Sequence, residues 1–164
     1  YIEIIRAGPL VVWLTFALFL WDDFIPTSPD FPIRAMLVFG FFGAAYIAEV
    51  IRGGLQSIPK GQYEAAFSLN LTTATTYTRI VLPQAIRAVV PAIIGRFISV
   101  WKDTSLLTAL GIVNLLGAGQ GVLSLNFANV EFIIEIFLVI ALLYWLVSFA
   151  LSRFGRYTEK KLNL

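Results

Sequence analysis

Cysteine and histidine are both missing from these 164 residues, and charge is scarce. Without cysteine there are no disulfides and no thiolate-bound metals. Without histidine the common zinc sites and a Ser-His-Asp triad cannot be built. Only 13% of residues are charged, about half the usual globular share. The rest is largely apolar: 59% hydrophobic, with 14 Phe and 4 Trp, and a mean hydropathy of +0.83. A water-soluble domain of this size could not cover so much apolar side chain with so few charges, whereas lipid removes the need for cover. The net charge is +2 and the basic residues are dispersed, which argues against a nucleic-acid surface. The chain opens on Tyr1, and residues 1–11 hold no basic region followed by a cleavage site. No signal peptide is read there. The expectation is a fragment or trimmed chain with further sequence upstream.

Four apolar runs are present: residues 7–21, interrupted by Gly8-Pro9; 33–51, with Glu49 near its end; 88–116, carrying Arg96, Lys102 and Asp103; and 132–151, with Glu135 near its start. A span needs ~20 residues, so the last three qualify and the first is marginal unless residues 2–6 extend it. The expected fold class is all-α, a polytopic transmembrane helical protein of about four spans. Threading them alternately puts Arg6, Arg52, Lys60, Arg79, Arg87, Arg153, Arg156, Lys160 and Lys161 on one side. Asp22, Asp23, Asp30 and Glu131 fall on the other, with Arg34 as the only base. Positive residues mark the cytoplasmic face. That places the segment between the second and third runs, and the C-terminus, inside. A cytoplasmic N-terminus then asks for an odd number of spans upstream if the whole protein begins outside.

Two spans carry polar features. In the second, Gly40, Ala44 and Ala48 recur every fourth residue beside Gly43, a pattern that lets another helix approach closely, in the same chain or in a partner. Glu49 stands three positions before Arg52, and the two can neutralise each other at the membrane boundary; alternatively Glu49 lines a path through the membrane. In the third, Arg96, Ser99 and Asp103 form one stripe, with Lys102 about 100° around the helix. Charges at that depth face protein or water. Either the three make a structural ion network, or at least one serves a substrate path or gate. Gly111, Gly117, Gly119, Gly121, Asn114 and Asn126 make the outer stretch that follows permissive, as a loop or a broken helix end. It is no phosphate loop, because no Lys-Ser/Thr follows the glycines.

The cytoplasmic segment reads as two short helices. Ser57 is placed to cap the first, with Pro59 tolerated in its first turn. Helix is expected over 62–69, with Asn70 in the left-handed position that ends it. Thr72 or Thr73 would cap a second helix through 77–81, and Pro83 should limit its continuation by pushing Leu82 from helical angles. Glu64 has no His, Cys or second acid beside it, so no catalysis is read here. Ala65, Ala66, Phe67 and Leu69 offer a small apolar patch that a partner groove could take.

The string GQYEAAFSLNLTTATTYTRIVLP resembles the Glu-Ala-Ala loop of the membrane subunits of bacterial ATP-binding-cassette importers. YIAEVIRGGLQSIPKGQYEAA, LPQAIRAVVPAI and FISVWKDTSLLTALGI are similar to the polar-amino-acid uptake branch, and YIEIIRAGPLVV to the start of that family's second span. ALLYWLVSFALSRFGRYTEK looks most like the general L-amino-acid subgroup. The resemblance covers essentially the whole chain, in order. It implies a type I importer permease core over residues 1–164, N-terminally incomplete, with a coupling-helix loop at about 57–83. In that family the loop docks into a groove of the cytoplasmic ATPase. Carried over, the role falls to 61–71, with Gly61, Glu64, Ala65, Ala66, Asn70 and Leu71. The family pattern has Gly where Asn70 stands, and a side chain there would bear on the ATPase contact.

The resemblance also implies the partners: an ATPase dimer that uses the ATP, a second permease chain, identical or homologous, and an extracytoplasmic amino-acid-binding protein. The chain itself would hold no cofactor and catalyse nothing, and would sit in the bacterial cytoplasmic membrane. Glu49, Lys102 and Asp103 are the expected substrate-path residues, since a zwitterion needs an acid for its ammonium and a base for its carboxylate. The competing account has Lys102 and Asp103 neutralising each other. An ion-gradient transporter would also explain charges in the spans but not the capped loop, and a purely structural membrane subunit is the remaining alternative. An intramembrane enzyme fails, because Ser99, Ser105 and Asp103 lack a positioned base.

Overall fold

A computed structural model of the chain describes residues 1–20, 30–125 and 132–161. Every regular element among them is helical. Helix α1 covers Ile2–Ala7 and α2 covers Leu10–Thr15, the latter running into a π-helical turn at Phe16–Leu20. Between α1 and α2, Gly8 is extended and Pro9 cannot donate, so the helix breaks there. The break is bridged by Trp13, whose Nε1 donates to the Ile5 carbonyl at 3.1 Å. A Cβ on Gly8 would lie 2.9 Å from that indole nitrogen, so glycine is what lets the ring close over the gap.

Helix α3 spans Phe31–Gln56, ~39 Å at 1.5 Å per residue. It is one of three helical stretches long and apolar enough to cross a bilayer. The others are Ile133–Lys161, our α8, and Thr73–Ser124, a longer stretch that includes α6, Leu82–Asp103. The segment Leu10–Leu20 is apolar but shorter. Asp22, Asp23, Asn126 and Glu131, assigned above to the outer side, lie outside the described residues.

Helices α3 and α6 run antiparallel, with Gly54 beside Ala85 and Val89 at one end and Phe39 beside Val100 at the other. They approach closely at Gly54, where an added Cβ would fall 2.1 Å from Val89 Cγ1. The Gly40–Ala44 ridge is not that contact: both residues are exposed, and nothing lies within 4 Å of a Cβ built on Gly40. Leu10 and Leu14 of α2 pack on Ala35 and Phe42 of α3, with Leu106, Leu107 and Leu110 at the edge of the same cluster. Helix α8 packs along α6, where Trp101 meets Tyr144 with ring centroids 5.4 Å apart. Most of its remaining surface is apolar and exposed, as suits a lipid-facing helix.

The loop departs from the sequence reading at two points. Ser57 caps the C-terminus of α3, its Oγ donating to the Gly54 carbonyl at 2.8 Å. Pro59 takes the N-cap position of α4, Lys60–Ser68, with no side-chain cap bond. Pro83 does not stop the next helix either. Thr73–Thr76, our α5, passes through a π-helical turn at Tyr77–Val81 into α6, and Leu82 keeps helical angles of −58° and −45°. Widening the turn moves the carbonyl that would clash with the proline ring. Gln84 Nε2 donates to the Ile80 carbonyl at 2.9 Å, satisfying part of the loosened ladder.

The third apolar run also divides. Helix α6 ends at Asp103, a 3-10 stretch covers Thr104–Leu110, and Gly111 turns the chain at φ 80°. The 11-residue α7, Leu115–Leu125, then packs against α8. At ~17 Å it is too short to cross.

Candidate functional site

Two places concentrate polar structure: the corner after α4, and the charged seam where α1, α3 and α6 meet.

At the corner, the Asn70 N–H donates to the Phe67 carbonyl at 2.9 Å and the Leu71 N–H to the Ala66 carbonyl at 3.1 Å. With Asn70 at φ 53°, these are the paired bonds of a Schellman stop. Asn70 is the one non-glycine with positive φ among the described residues. Thr72 then caps α5, its Oγ1 accepting from the Thr75 N–H at 3.3 Å. Of the predicted apolar patch, Ala66 is buried while Ala65, Phe67 and Leu69 are exposed, Leu69 at 73%. Gly61 and Glu64 are exposed and Leu71 half-buried. Tyr63 holds α4 to the next element through an edge-to-face contact with Tyr77 at 5.9 Å. The result is a rigid, capped corner with apolar side chains pointing away from the chain.

In the seam, Arg52 Nε donates to Glu49 Oε2 at 3.1 Å, and its Nη2 contacts Glu49 Oε1. Arg6 of α1 reaches the same carboxylate, Nη1 to Oε2 at 3.5 Å. Glu49 is therefore shared by two guanidinium groups. Lys102 and Asp103 occupy the last turn of α6, Lys102 exposed and Asp103 half-buried, and among the described residues they do not pair with each other. Taking the antiparallel register from Tyr46–Arg96 and Phe39–Val100, Glu49 lies level with about residue 91 of α6. Asp103 is then ~18 Å away along the axis. The three expected substrate-path residues fall at two levels rather than in one constellation.

Arg96 lies between those levels. Its guanidinium carbon sits 3.9 Å from the Tyr46 ring centroid and 5.5 Å from that of Phe42. Arg6 approaches the same Tyr46 ring at 5.3 Å. Such contacts favour a cation, all the more when it is desolvated. The sequence showed Arg96 as a costly charge. It did not show the aromatic platform, since Tyr46 and Phe42 come from α3, far from Arg96 in the chain. Asn114 was also underread. Its Oδ1 accepts from the Gly117 N–H at 3.0 Å and from Thr108 Oγ1 at 2.6 Å, while its Nδ2 donates to the Thr104 carbonyl at 2.9 Å.

Comparison with known proteins gives one answer. Residues 1–164 match the family described as "Binding-protein-dependent transport system inner membrane component". The chain is 39% identical over 99% of its length to the Escherichia coli inner membrane amino-acid ABC transporter permease protein YhdY, of which it covers 45%. It is 38% identical, again over 99% of its length, to the Rhodobacter capsulatus glutamate/glutamine/aspartate/asparagine transport system permease protein BztC, covering 38%. It is 34% identical to the Bacillus subtilis L-cystine transport system permease protein TcyB, covering 68%. The chain thus spans less than half the length of the first two. Among solved structures, an amino acid ABC transporter with histidines superposes with a TM-score of 0.88 at 29% identity, covering 98% of this chain and 73% of that one. An inward-facing MetNI methionine transporter shares the fold, with a TM-score of 0.69 at 21% identity.

Proposed function

The chain belongs to the binding-protein-dependent transport system inner membrane component family, and from that premise we propose that it is the non-catalytic, membrane-spanning half of an ATP-driven amino-acid importer. The observation that carries this reading is the capped corner at Asn70, an apolar docking surface held between two spans. The amino-acid substrate class is supported by what YhdY, BztC and TcyB are named for.

In this reading the broken helix 2–20 is the first of four spans, and α3, α6 and α8 are the others. The loop at about 57–83 faces the cytoplasm of a bacterial cell. Gly61, Glu64, Ala65, Ala66, Asn70 and Leu71 form the coupling element that an ATPase dimer grips. ATP is bound and hydrolysed there, not on this chain. Closure of the ATPases moves the corner as one unit, because the stop at Asn70 and the cap at Thr72 leave it few soft torsions. The π-helical turn carries that motion into α6 without a break. A second permease chain completes the pore, and an extracytoplasmic binding protein delivers the amino acid. Glu49, Lys102 and Asp103 border the path at two heights. That arrangement suits successive contacts better than one binding pocket.

The test is transport by the whole permease with its ATPase and binding protein in proteoliposomes, using labelled acidic, basic and neutral amino acids. ATP-dependent uptake is expected. Uptake that ignores ATP and follows an ion gradient would replace this reading with a secondary transporter. No uptake by an intact complex would favour a structural subunit.

A further inference from the structure

Helix α8 gathers its positive charge at one end and on one face. Residues 153–161 hold Arg153, Arg156, Lys160 and Lys161 but a single acid, Glu159. At about 100° per residue, Arg153, Arg156, Tyr157 and Lys160 fall within an arc of about 100°, and Glu159 falls outside it. Gly155 lies nearly opposite and meets α6, where an added Cβ would be 3.0 Å from Ile94 Cγ2. The cationic face is thus turned away from the rest of the chain, and its residues are exposed. Arg153, Phe154, Arg156, Tyr157 and Lys160 line one recess of about 400 Å³. Arg156 Nη1 donates to Ser152 Oγ at 3.1 Å, which holds that guanidinium along the helix. Among the described residues no carboxylate pairs with Arg153, Arg156 or Lys160.

Cations in the last turn of a helix complement its dipole, which accounts for Lys160 and Lys161. Arg153 and Arg156 stand too far from that end and need another reason. Depth supplies it. The apolar run 132–151 is long enough to fill the hydrocarbon layer of ~30 Å. Arg153 and Arg156 then fall in the headgroup layer, ~5–7 Å thick on each side, and Lys160 lies just beyond, within reach of its flexible stem. Tyr157 stands at the level that interfacial aromatics occupy. Directly above the cations on the same stripe are Leu142, Leu146 and Phe149, all exposed. One continuous surface therefore offers an apolar track leading down to a cationic recess.

We propose that this face of α8 is a binding site for an anionic phospholipid. Arg153, Arg156 and Lys160 surround the phosphate, and an acyl chain lies along Leu142, Leu146 and Phe149. Guanidinium groups take phosphate oxygens bidentately. The clustered charge selects against a zwitterionic headgroup, whose own cation is repelled by the three side chains. The site goes beyond the importer reading: it rests on α8 being a span, not on what is carried.

The experiment uses the whole permease assembled with its ATPase, released from membranes into mild detergent. Native mass spectrometry then measures the binding of added phosphatidylglycerol and phosphatidylcholine. The wild-type complex should prefer phosphatidylglycerol by about tenfold or more, given three cations at an anionic headgroup. The triple variant Arg153→Gln, Arg156→Gln, Lys160→Gln should lose most of that preference. A second triple variant, Lys60→Gln, Arg79→Gln, Arg87→Gln, removes the same charge from other exposed positions and should keep it. Arg153→Lys with Arg156→Lys retains the charge without the guanidinium forks and should keep part of it. Equal loss in the two triple variants would reduce the effect to net charge and overturn the site, as would a wild type that binds both lipids alike. Displacement of phosphatidylglycerol by an equal concentration of glycerol 3-phosphate would make the recess a site for soluble phosphates instead. Preference that emerges only after the ATPase is removed would give the face to the ATPase and also overturn the proposal.

Discussion

Asn70 is the residue on which the corner after α4 turns. At φ 53° a β-carbon crowds the following carbonyl, which costs most residues about 1–2 kcal/mol and asparagine less. Alanine at this position should therefore destabilise the protein by about 1 kcal/mol, while glycine should be neutral or slightly stabilising. Thermal unfolding of Asn70→Ala and Asn70→Gly in detergent checks the order. Asn70→Gly also removes an exposed amide from the proposed docking face, so ATP-driven uptake should hold at the wild-type rate or exceed it. Slower uptake would show that the amide itself touches the ATPase. This position was fully legible in sequence, because asparagine between a short helix and a Thr cap has a local reason to be there. Arg96 was half-legible. Its burial cost follows from depth in a hydrophobic run, but the ring beneath it comes from a helix fifty residues earlier.

Helices were read best where one face or one run decides them, and worst where two elements share a turn. The three long apolar stretches follow from composition alone. The end of α6 does not, since the polar residues Lys102, Asp103, Thr104 and Ser105 that interrupt the apolar run there also fit a helix. What ends it is tertiary: Asn114 reaches back across ten residues to the Thr104 carbonyl while capping α7 through the Gly117 N–H. One side chain thus closes both ends of the joint. Asn114→Ala would leave the Thr104 carbonyl, the Gly117 N–H and the Thr108 hydroxyl without that partner, and should cost about 2 kcal/mol, near the upper end for a lost cap. Hydrogen exchange should then rise in α7 and the 3-10 stretch before it rises in α3. A uniform increase across the protein would assign the residue no such local role. Pro83 taught the opposite lesson, because a rule about the residue before proline gave way to a π-helical turn that no local pattern announces.

On the scale of the whole molecule, the proposed orientation in the bilayer rests on charge asymmetry along the sequence. The docking proposal depends on it, since a corner on the wrong face could never meet an ATPase. Single cysteines placed in these cysteine-free residues, with any cysteine elsewhere in the whole protein replaced, make the orientation directly measurable in cells. Asp30 at the start of α3 and Ser124 near the end of α7 are exposed and fall on the proposed outer side. Ser68 at the end of α4 and Lys161 at the end of α8 are also exposed and fall on the inner side. A membrane-impermeant maleimide should label Asp30→Cys and Ser124→Cys in intact cells, and Ser68→Cys and Lys161→Cys only after permeabilisation. Labelling of Ser68→Cys from outside would put α4 and Asn70 beyond the reach of any cytoplasmic partner and end the coupling role. Failure of Ser124→Cys alone would instead bury the end of α7 within the membrane, and would leave the docking face where the charges put it.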